Sequence, residues 1–310
     1  MKNLKELLKK GEKRAESVMR MIDKILQEAY LVTPSPEEVR KNNELGVSFI
    51  GKDPERAVQL YFEALEKAGS DQDLQAQSLG NIGDYCRKNL GALNSAQKIF
   101  DQAGKMEISI FTRVRLMIME AMIHSWRSEN GEEDSEGILQ NITMLRSAIS
   151  LISKDENEKD SPEKTIQTWG FALSRLTGII SMWGTVEQGK MVIEEIKFFL
   201  PRLDQDSEKV GQLIGNMARI IMNNGSFSEA APLLLETAVD NEAHELLPHA
   251  CFTYALAAEC YWKINKKRLA KKIFQLALGL EDTIKSCSNV NFAKKQIAKV
   301  RNLIEANSTF

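Results

Sequence analysis

The chain has 310 residues, of which 43% are hydrophobic and 27% charged, and its formal net charge is −2. These values are ordinary for a folded protein, and no apolar run reaches the roughly 18 residues that a membrane-spanning helix requires. The first residues, MKNLKELLKKGEKR, carry charges throughout and lack the apolar centre of a secretory signal. The four cysteines form no CxxC pair, so we expect reduced thiols in a cytoplasmic protein.

Residues 1–32 are predicted to form an N-terminal helix. Its apolar residues, among them Ala15, Val18, Ile22 and Ile25, recur at intervals of three and four, as on one face of an amphipathic helix. Two interpretations stay open. The helix covers the end of a helical domain, which we favour because terminal elements of repeat domains commonly act as caps. Alternatively, its near-heptad spacing makes it a coiled-coil or dimer arm.

Residues 36–152 are predicted to form three helical hairpins. Ser35 is expected to cap the first of them, with Pro36 at the first helical position and Glu38 closing a capping box. The first two hairpins share a small residue after an apolar one, followed by further small and aromatic residues: Leu45-Gly46, Phe49, Ala57 and Tyr61, then Ile82-Gly83, Cys86, Ala96 and Phe100. The third hairpin, within residues 107–152, fits more than one register around an acidic loop at residues 128–134.

A polar segment, residues 153–163, is predicted to be a linker because it reads SKDENEKDSPE. Three further hairpins are predicted over residues 164–280, and a capping helix over residues 288–306. In the second of these hairpins, Pro232 is expected in the first turn of its second helix, where proline is tolerated. In the first, Gly189 is expected to permit close packing.

The clearest hairpin lies in residues 250–280. Its first helix carries Ala257-Ala258 and Tyr261, and its second carries Ala270, Phe274 and Ala277, all at amphipathic helical spacing. The small residues let two helix backbones approach closely, and the aromatic rings fill the space beside them. Such a hairpin buries only part of its apolar surface by itself, so it predicts neighbours of the same kind.

This pattern resembles the tetratricopeptide repeat. The resemblance implies an all-α fold, a right-handed superhelix of about six helical hairpins spanning residues 1–310, with an extra N-terminal helix and a C-terminal capping helix. The hairpins recur every 37 to 41 residues where the register is clear, against 34 in the repeat. Longer helices or a related α-solenoid would explain the difference.

The sequence predicts no enzyme, cofactor or metal site. His124, His244 and His249 have no cysteine or carboxylate at metal-ligand spacing. The glycines lie inside helical patterns with no preceding strand, so they do not form phosphate loops. No set of acid, base and nucleophile can be named from the sequence.

The resemblance implies instead that the first helices of successive hairpins line a groove that binds a peptide or protein segment. Asparagine and arginine side chains would hold the backbone or a carboxylate of that segment, and aromatic side chains would anchor apolar groups. Each candidate has the alternative interpretation of an ordinary surface or packing position. The candidates are Asn43, Asn81, Lys88, Phe171, Arg175, Asn216, Arg219, Phe252, Glu259 and Trp262.

The charge distribution leaves a second function open. Residues 263–310 contain eleven Lys and Arg against three Asp and Glu. The basic residues between Lys263 and Lys272 and between Lys294 and Arg301 are either solvated helix faces or a surface for nucleic acid or another anionic surface. A third possibility is a regulatory solenoid that changes curvature when a small peptide binds.

Overall fold

The computed structural model describes residues 2–129, 135–153, 162–203, 208–286 and 291–306. Within these ranges the chain is helical and contains no strand, so the predicted all-α class is confirmed. None of the described helices combines the length and apolarity needed to span a membrane.

The described part of the chain forms fourteen α-helices, joined by short connections. In chain order they are α1 (Lys2–Glu28), α2 (Pro36–Phe49), α3 (Pro54–Lys67), α4 (Gln72–Tyr85), α5 (Leu93–Gly104), α6 (Ile110–Glu129), α7 (Ser135–Ser153), α8 (Pro162–Trp183), α9 (Val186–Phe199), α10 (Glu208–Asn223), α11 (Phe227–Ala243), α12 (Leu247–Lys263), α13 (Lys267–Glu281) and α14 (Asn291–Glu305). A π-helical turn, Cys86–Leu90, continues α4.

The helices gather into two compact units. Unit 1 is Met1–Ala172 and unit 2 is Leu173–Phe310. The division falls within α8, after the polar segment that was predicted to be a linker. Residues 154–161 of that segment, and residues 130–134 of the predicted acidic loop, lie outside the described residues.

In unit 1, helix α1 packs against other helices of the same unit. Ala15, Ile22 and Ile25 are buried in a core that also contains residues of α3, α4, α5 and α6. A Cβ atom on Gly11 would overlap the carbonyl group of Leu90, so α1 crosses the end of the π-helical turn closely. These apolar residues of α1 are therefore used inside unit 1, which disfavours the coiled-coil interpretation.

Small residues allow the close helix packing that the sequence predicted. A Cβ atom on Gly46 would overlap the ring of Tyr61, and one on Gly83 would overlap the ring of Phe100. Both contacts pair the first helix of a predicted hairpin with its second helix. In unit 2, a Cβ atom on Gly189 would lie 2.7 Å from Ile220 Cγ2.

The start of α3 is capped, whereas two predictions about the starts of other helices are wrong. Asp53 Oδ1 accepts a hydrogen bond from the Arg56 backbone amide at 3.0 Å, as expected of a cap. The predicted capping box at Ser35 is wrong, because the Ser35 side chain makes no capping hydrogen bond. The placement of Pro232 is also wrong, because α11 begins at Phe227 and the proline lies in the helix interior, where it removes one backbone hydrogen bond.

Helix α12 is the centre of unit 2. Twelve of its 17 residues are buried, and it packs against α11, α13 and α14. Ala258 and, on α13, Ala270 are fully buried, and Tyr261 and Phe274 are buried beside them. The hairpin predicted in residues 250–280 is thus present as α12 and α13.

Candidate functional site

Four side chains from α2, α4 and α6 form a hydrogen-bonded row in unit 1. Asn43 Nδ2 donates to Ser78 Oγ at 3.2 Å, and Asn81 Nδ2 donates to Asn43 Oδ1 at 2.8 Å. Arg115 Nη2 then donates to Asn81 Oδ1 at 2.8 Å. We call these residues the unit 1 polar row. Asn43 and Asn81 are buried, and they connect neighbouring helices to one another.

The charges beside the unit 1 polar row are largely compensated. Burial opposes the ionisation of Asp84, but Arg87 and Lys88 hold the pKa of its carboxyl below the ordinary value. The predicted candidate Lys88 is exposed and forms an ion pair with Asp84 at 2.7 Å.

Burial raises the pKa of Tyr61 to about 12, and the Asp84 charge adds to this effect. Burial lowers the pKa of Arg115, although Asp84 and Tyr61 act in the opposite direction.

In unit 2, asparagines on α10 connect this helix to α8. Asn216 Nδ2 donates to Thr177 Oγ1 at 3.0 Å and to the Ser174 carbonyl oxygen at 3.2 Å. Asn223 Nδ2 donates to the Ser181 carbonyl oxygen at 2.6 Å. The candidate Asn216 therefore has a structural role, and its replacement by alanine would remove helix–helix hydrogen bonds together with any ligand contact.

Arg219 lies one turn further along α10 and is half-buried. Its Cζ atom lies 5.5 Å from the centre of the Phe252 ring on α12, close enough for a cation–π contact. No hydrogen bond or ion pair joins its guanidinium to any residue that the structure describes. Burial lowers the pKa of this guanidinium below its ordinary value. The side chain is thus partly desolvated while its N–H donors stay unused.

Three aromatic rings, contributed by α12 and α14, continue the contact that Arg219 makes. The half-buried rings of Phe252 on α12 and Phe292 on α14 have centroids 5.1 Å apart at 73°, an edge-to-face contact. The exposed ring of His249 lies 5.4 Å from Phe292. We call Arg219, Phe252, Phe292 and His249 the unit 2 cation–aromatic row. It joins three helices across a partly open surface.

Two candidates on α12 face neighbouring helices. Glu259 is 5% exposed, accepts a hydrogen bond from Gln296 Nε2 at 2.7 Å and pairs with Lys299 Nζ at 2.8 Å. Its carboxylate therefore fastens α14 to α12. Trp262 is buried, with Lys267 Nζ 5.5 Å from its ring centre. The remaining candidates, Phe171 and Arg175, are half-buried on α8.

The sequence alone missed Arg115 and Phe292. Arg115 lies in residues 107–152, where the hairpin register was ambiguous, so its proximity to Asn81 was not foreseen. Phe292 was assigned to a capping helix, and nothing in its spacing indicated that it would contact Phe252. A signal for Arg115 existed in its position at the start of the mostly apolar stretch RLMIMEAMI.

The described cysteines do not provide an activated nucleophile. Cys86, Cys251 and Cys260 are buried. Burial, together with nearby carboxylates, raises the pKa of Cys86 and Cys260 to about 12 and that of Cys251 to about 11. These thiols are therefore protonated at neutral pH. Among the described residues, no group of three or more His, Cys, Asp and Glu side chains is arranged to hold a metal ion.

The first basic segment of the C-terminal region is exposed. The side chains of Lys263, Lys266, Lys267, Arg268, Lys271 and Lys272 are exposed, and none forms an ion pair with a described residue. The second segment is partly neutralised, because Lys299 pairs with Glu259 and Arg301 pairs with Glu281. The α12–α13 end of unit 2 thus carries the stronger uncompensated charge.

Comparison with models of known protein families finds no match, and comparison with curated proteins finds none either. The tetratricopeptide resemblance therefore rests on the residues of this chain alone.

Proposed function

We propose that this protein is a non-enzymatic scaffold that binds a segment of another protein. In this proposal, the helix pairs are tetratricopeptide-like hairpins that follow one another in a right-handed superhelix. Their first helices present the binding groove. The pairing of α2 with α3, α4 with α5, α10 with α11 and α12 with α13 supports this arrangement, as do the glycine–aromatic contacts of Gly46 and Gly83.

The observation that carries the proposal is the state of Arg219. The Arg219 guanidinium is half-buried against the Phe252 ring and makes no hydrogen bond to a described residue, so its N–H donors are open to an acceptor on another molecule. A side chain with perturbed ionisation in a partly open surface is a candidate binding residue. Phe252 lies beside it, and aromatic and arginine side chains together are typical of the energetically dominant residues of protein interfaces.

Affinity capture from nuclease-treated native lysate tests the proposal. We expect the wild-type chain to retain a protein partner, and the double variant Arg219→Gln with Phe252→Ala to lose it. The matched control, Lys271→Gln with Lys272→Gln, changes two exposed residues of α13 and should bind as the wild type does. A partner that both double variants retain equally would show that this surface is not the binding site.

The exposed basic residues of α12 and α13 favour a second candidate, which is binding to nucleic acid or another anionic surface. This alternative predicts that capture falls steeply as salt rises, because phosphate contacts release counterions. For nucleic acid, it also predicts capture only from a parallel lysate without nuclease, and there the Lys271→Gln with Lys272→Gln variant, not the Arg219 variant, is impaired. The same capture experiment therefore separates the two functions.

A further inference from the structure

Resting on the proposed function, we infer that the unit 2 cation–aromatic row binds an internal acidic segment of a partner protein. In this segment a Glu or Asp carboxylate contacts Arg219, and an apolar side chain within two residues of it packs against Phe252 and Phe292. Helix α14, which was predicted only as a cap, thereby becomes part of the binding surface.

The Arg219 guanidinium selects a carboxylate. Arginine presents its N–H donors in a planar fork that matches the two oxygens of a carboxylate. No described residue uses these donors, and the ring of Phe252 orients the guanidinium from one side. Unlike Arg115, which donates to Asn81, Arg219 is therefore ready to receive an acceptor from another molecule.

The two phenylalanines select an apolar neighbour of that carboxylate. Arg219 lies 5.5 Å from the Phe252 ring, and the Phe252 and Phe292 rings lie 5.1 Å apart. Side chains two residues apart on one face of an extended chain are separated by about 7 Å. A single short segment therefore reaches both the guanidinium and the Phe292 ring.

The charges around the row are complementary to an acidic segment. Beyond the first two residues of α10, helices α10, α12 and α14 contain six Lys and Arg residues and two Glu residues. Two of the six, Lys299 and Arg301, pair with Glu259 and with Glu281 of α13, which leaves Arg219, Lys263, Lys294 and Lys295. One of the two Glu residues on these helices, Glu259, is buried and paired with Lys299. The other, Glu305, is the last residue of α14. An acidic partner is thus attracted to this surface, whereas a basic one is repelled.

Peptide selection tests this inference. A random dodecapeptide library, fused through its C-termini to a phage coat protein, is selected against the full chain. We expect enriched peptides to place Glu or Asp within two positions of Phe, Tyr, Trp or Leu. A representative enriched peptide with both termini blocked is then measured by fluorescence anisotropy against variants whose folding is checked by circular dichroism.

Arg219→Gln should weaken binding of this peptide about tenfold or more, because a charge-assisted hydrogen bond is lost. Phe292→Ala should weaken it about fivefold through lost aromatic contact. The control Lys271→Gln should remain within about twofold, since an exposed charge has a small effect. Replacing the acidic residue of the peptide by its amide should give the same loss as Arg219→Gln, with no further loss when both changes are combined.

Several results would overturn the inference. Peptides insensitive to Arg219→Gln and Phe292→Ala bind elsewhere, which refutes the assigned site but leaves the scaffold proposal standing. A second comparison uses the peptide in which Gln or Asn replaces the acidic residue, with its C-terminus either blocked or free. If only the form with a free C-terminal carboxylate binds, the site recognises a chain end and not an internal acidic residue. Enrichment of basic peptides, or of none, also refutes the inference, whereas the scaffold proposal is decided separately by capture from lysate.

Discussion

Both units carry an asparagine that hydrogen-bonds to a neighbouring helix, on α4 in unit 1 and on α10 in unit 2. The arginine that lies near each asparagine differs in its contacts. In each unit, an asparagine located two residues before a small residue, Asn81 or Asn216, bonds to the preceding first helix. In unit 1 the row continues, because Arg115 donates to Asn81. In unit 2, Arg219 contacts an aromatic ring and has no hydrogen-bond acceptor among the described residues. The unit 1 polar row therefore connects its helices through hydrogen bonds, while the Arg219 donors of the unit 2 cation–aromatic row bond to no described residue.

The close packing of α12 in unit 2 should be the most sensitive feature. Ala258→Arg places a long charged side chain at a fully buried position of α12, and both overpacking and burial of an unpaired charge oppose folding. We expect a loss of more than about 4 kcal/mol in the free energy of unfolding, with a loss of helical circular dichroism. The smaller change Ala258→Ser should retain the fold. A stably folded Ala258→Arg protein would contradict the assigned packing of α12.

The ion pairs beside the unit 1 polar row should have the next largest effect. Asp84→Asn leaves Arg87, which is 8% exposed, without its carboxylate partner. Removing one partner of a buried pair costs about 3 kcal/mol, which urea unfolding at neutral pH would measure. The matched change Glu194→Gln breaks an exposed pair with Lys197 and should cost under about 0.5 kcal/mol.

The wild type and the Asp84→Asn variant should also differ in how their free energy of unfolding depends on pH. The folded-state pKa of Asp84 lies below its ordinary value of 3.8, so its stabilising contribution is complete above that value. It is lost as the pH falls from about 3.8 through the folded pKa, because the unfolded chain binds the proton first. Wild type and Asp84→Asn should therefore differ most at neutral pH and converge in acid. A difference that stays constant down to acid unfolding would contradict this account.

Replacing Asn81 in unit 1 or Asn216 in unit 2 should lower the free energy of unfolding by similar amounts, smaller than that expected for Ala258→Arg. Asn81→Ala removes the hydrogen bonds to Asn43 and Arg115, and Asn216→Ala removes those to Ser174 and Thr177. Each variant should lose about 1–3 kcal/mol in the free energy of unfolding. If only one of them destabilised the protein, the parallel between the two units would fail.

The sequence predicted the all-α class and the small-residue contacts, because periodicity and glycine–aromatic spacing are local signals. Gly46 with Tyr61 and Gly83 with Phe100 lie within one helix pair, so their spacing in the sequence carries their contact. Contacts between successive pairs depend on register and on how helices cross. Asn43 was therefore a groove candidate with no indication that it would bond Asn81, and Glu259 gave no sign that it would bond residues of α14.

The smallest effect is also the one that best separates the two arginines. Arg115→Met removes the donor to Asn81 Oδ1 and should cost about 1 kcal/mol in the free energy of unfolding. Arg219→Met removes a partly desolvated charge that has no acceptor, so stability should be unchanged or slightly increased. Urea unfolding of both variants, under identical conditions, gives the comparison. Equal losses would mean that Arg219 supports the fold as Arg115 does, and the unit 2 cation–aromatic row would lose its main argument as a binding surface.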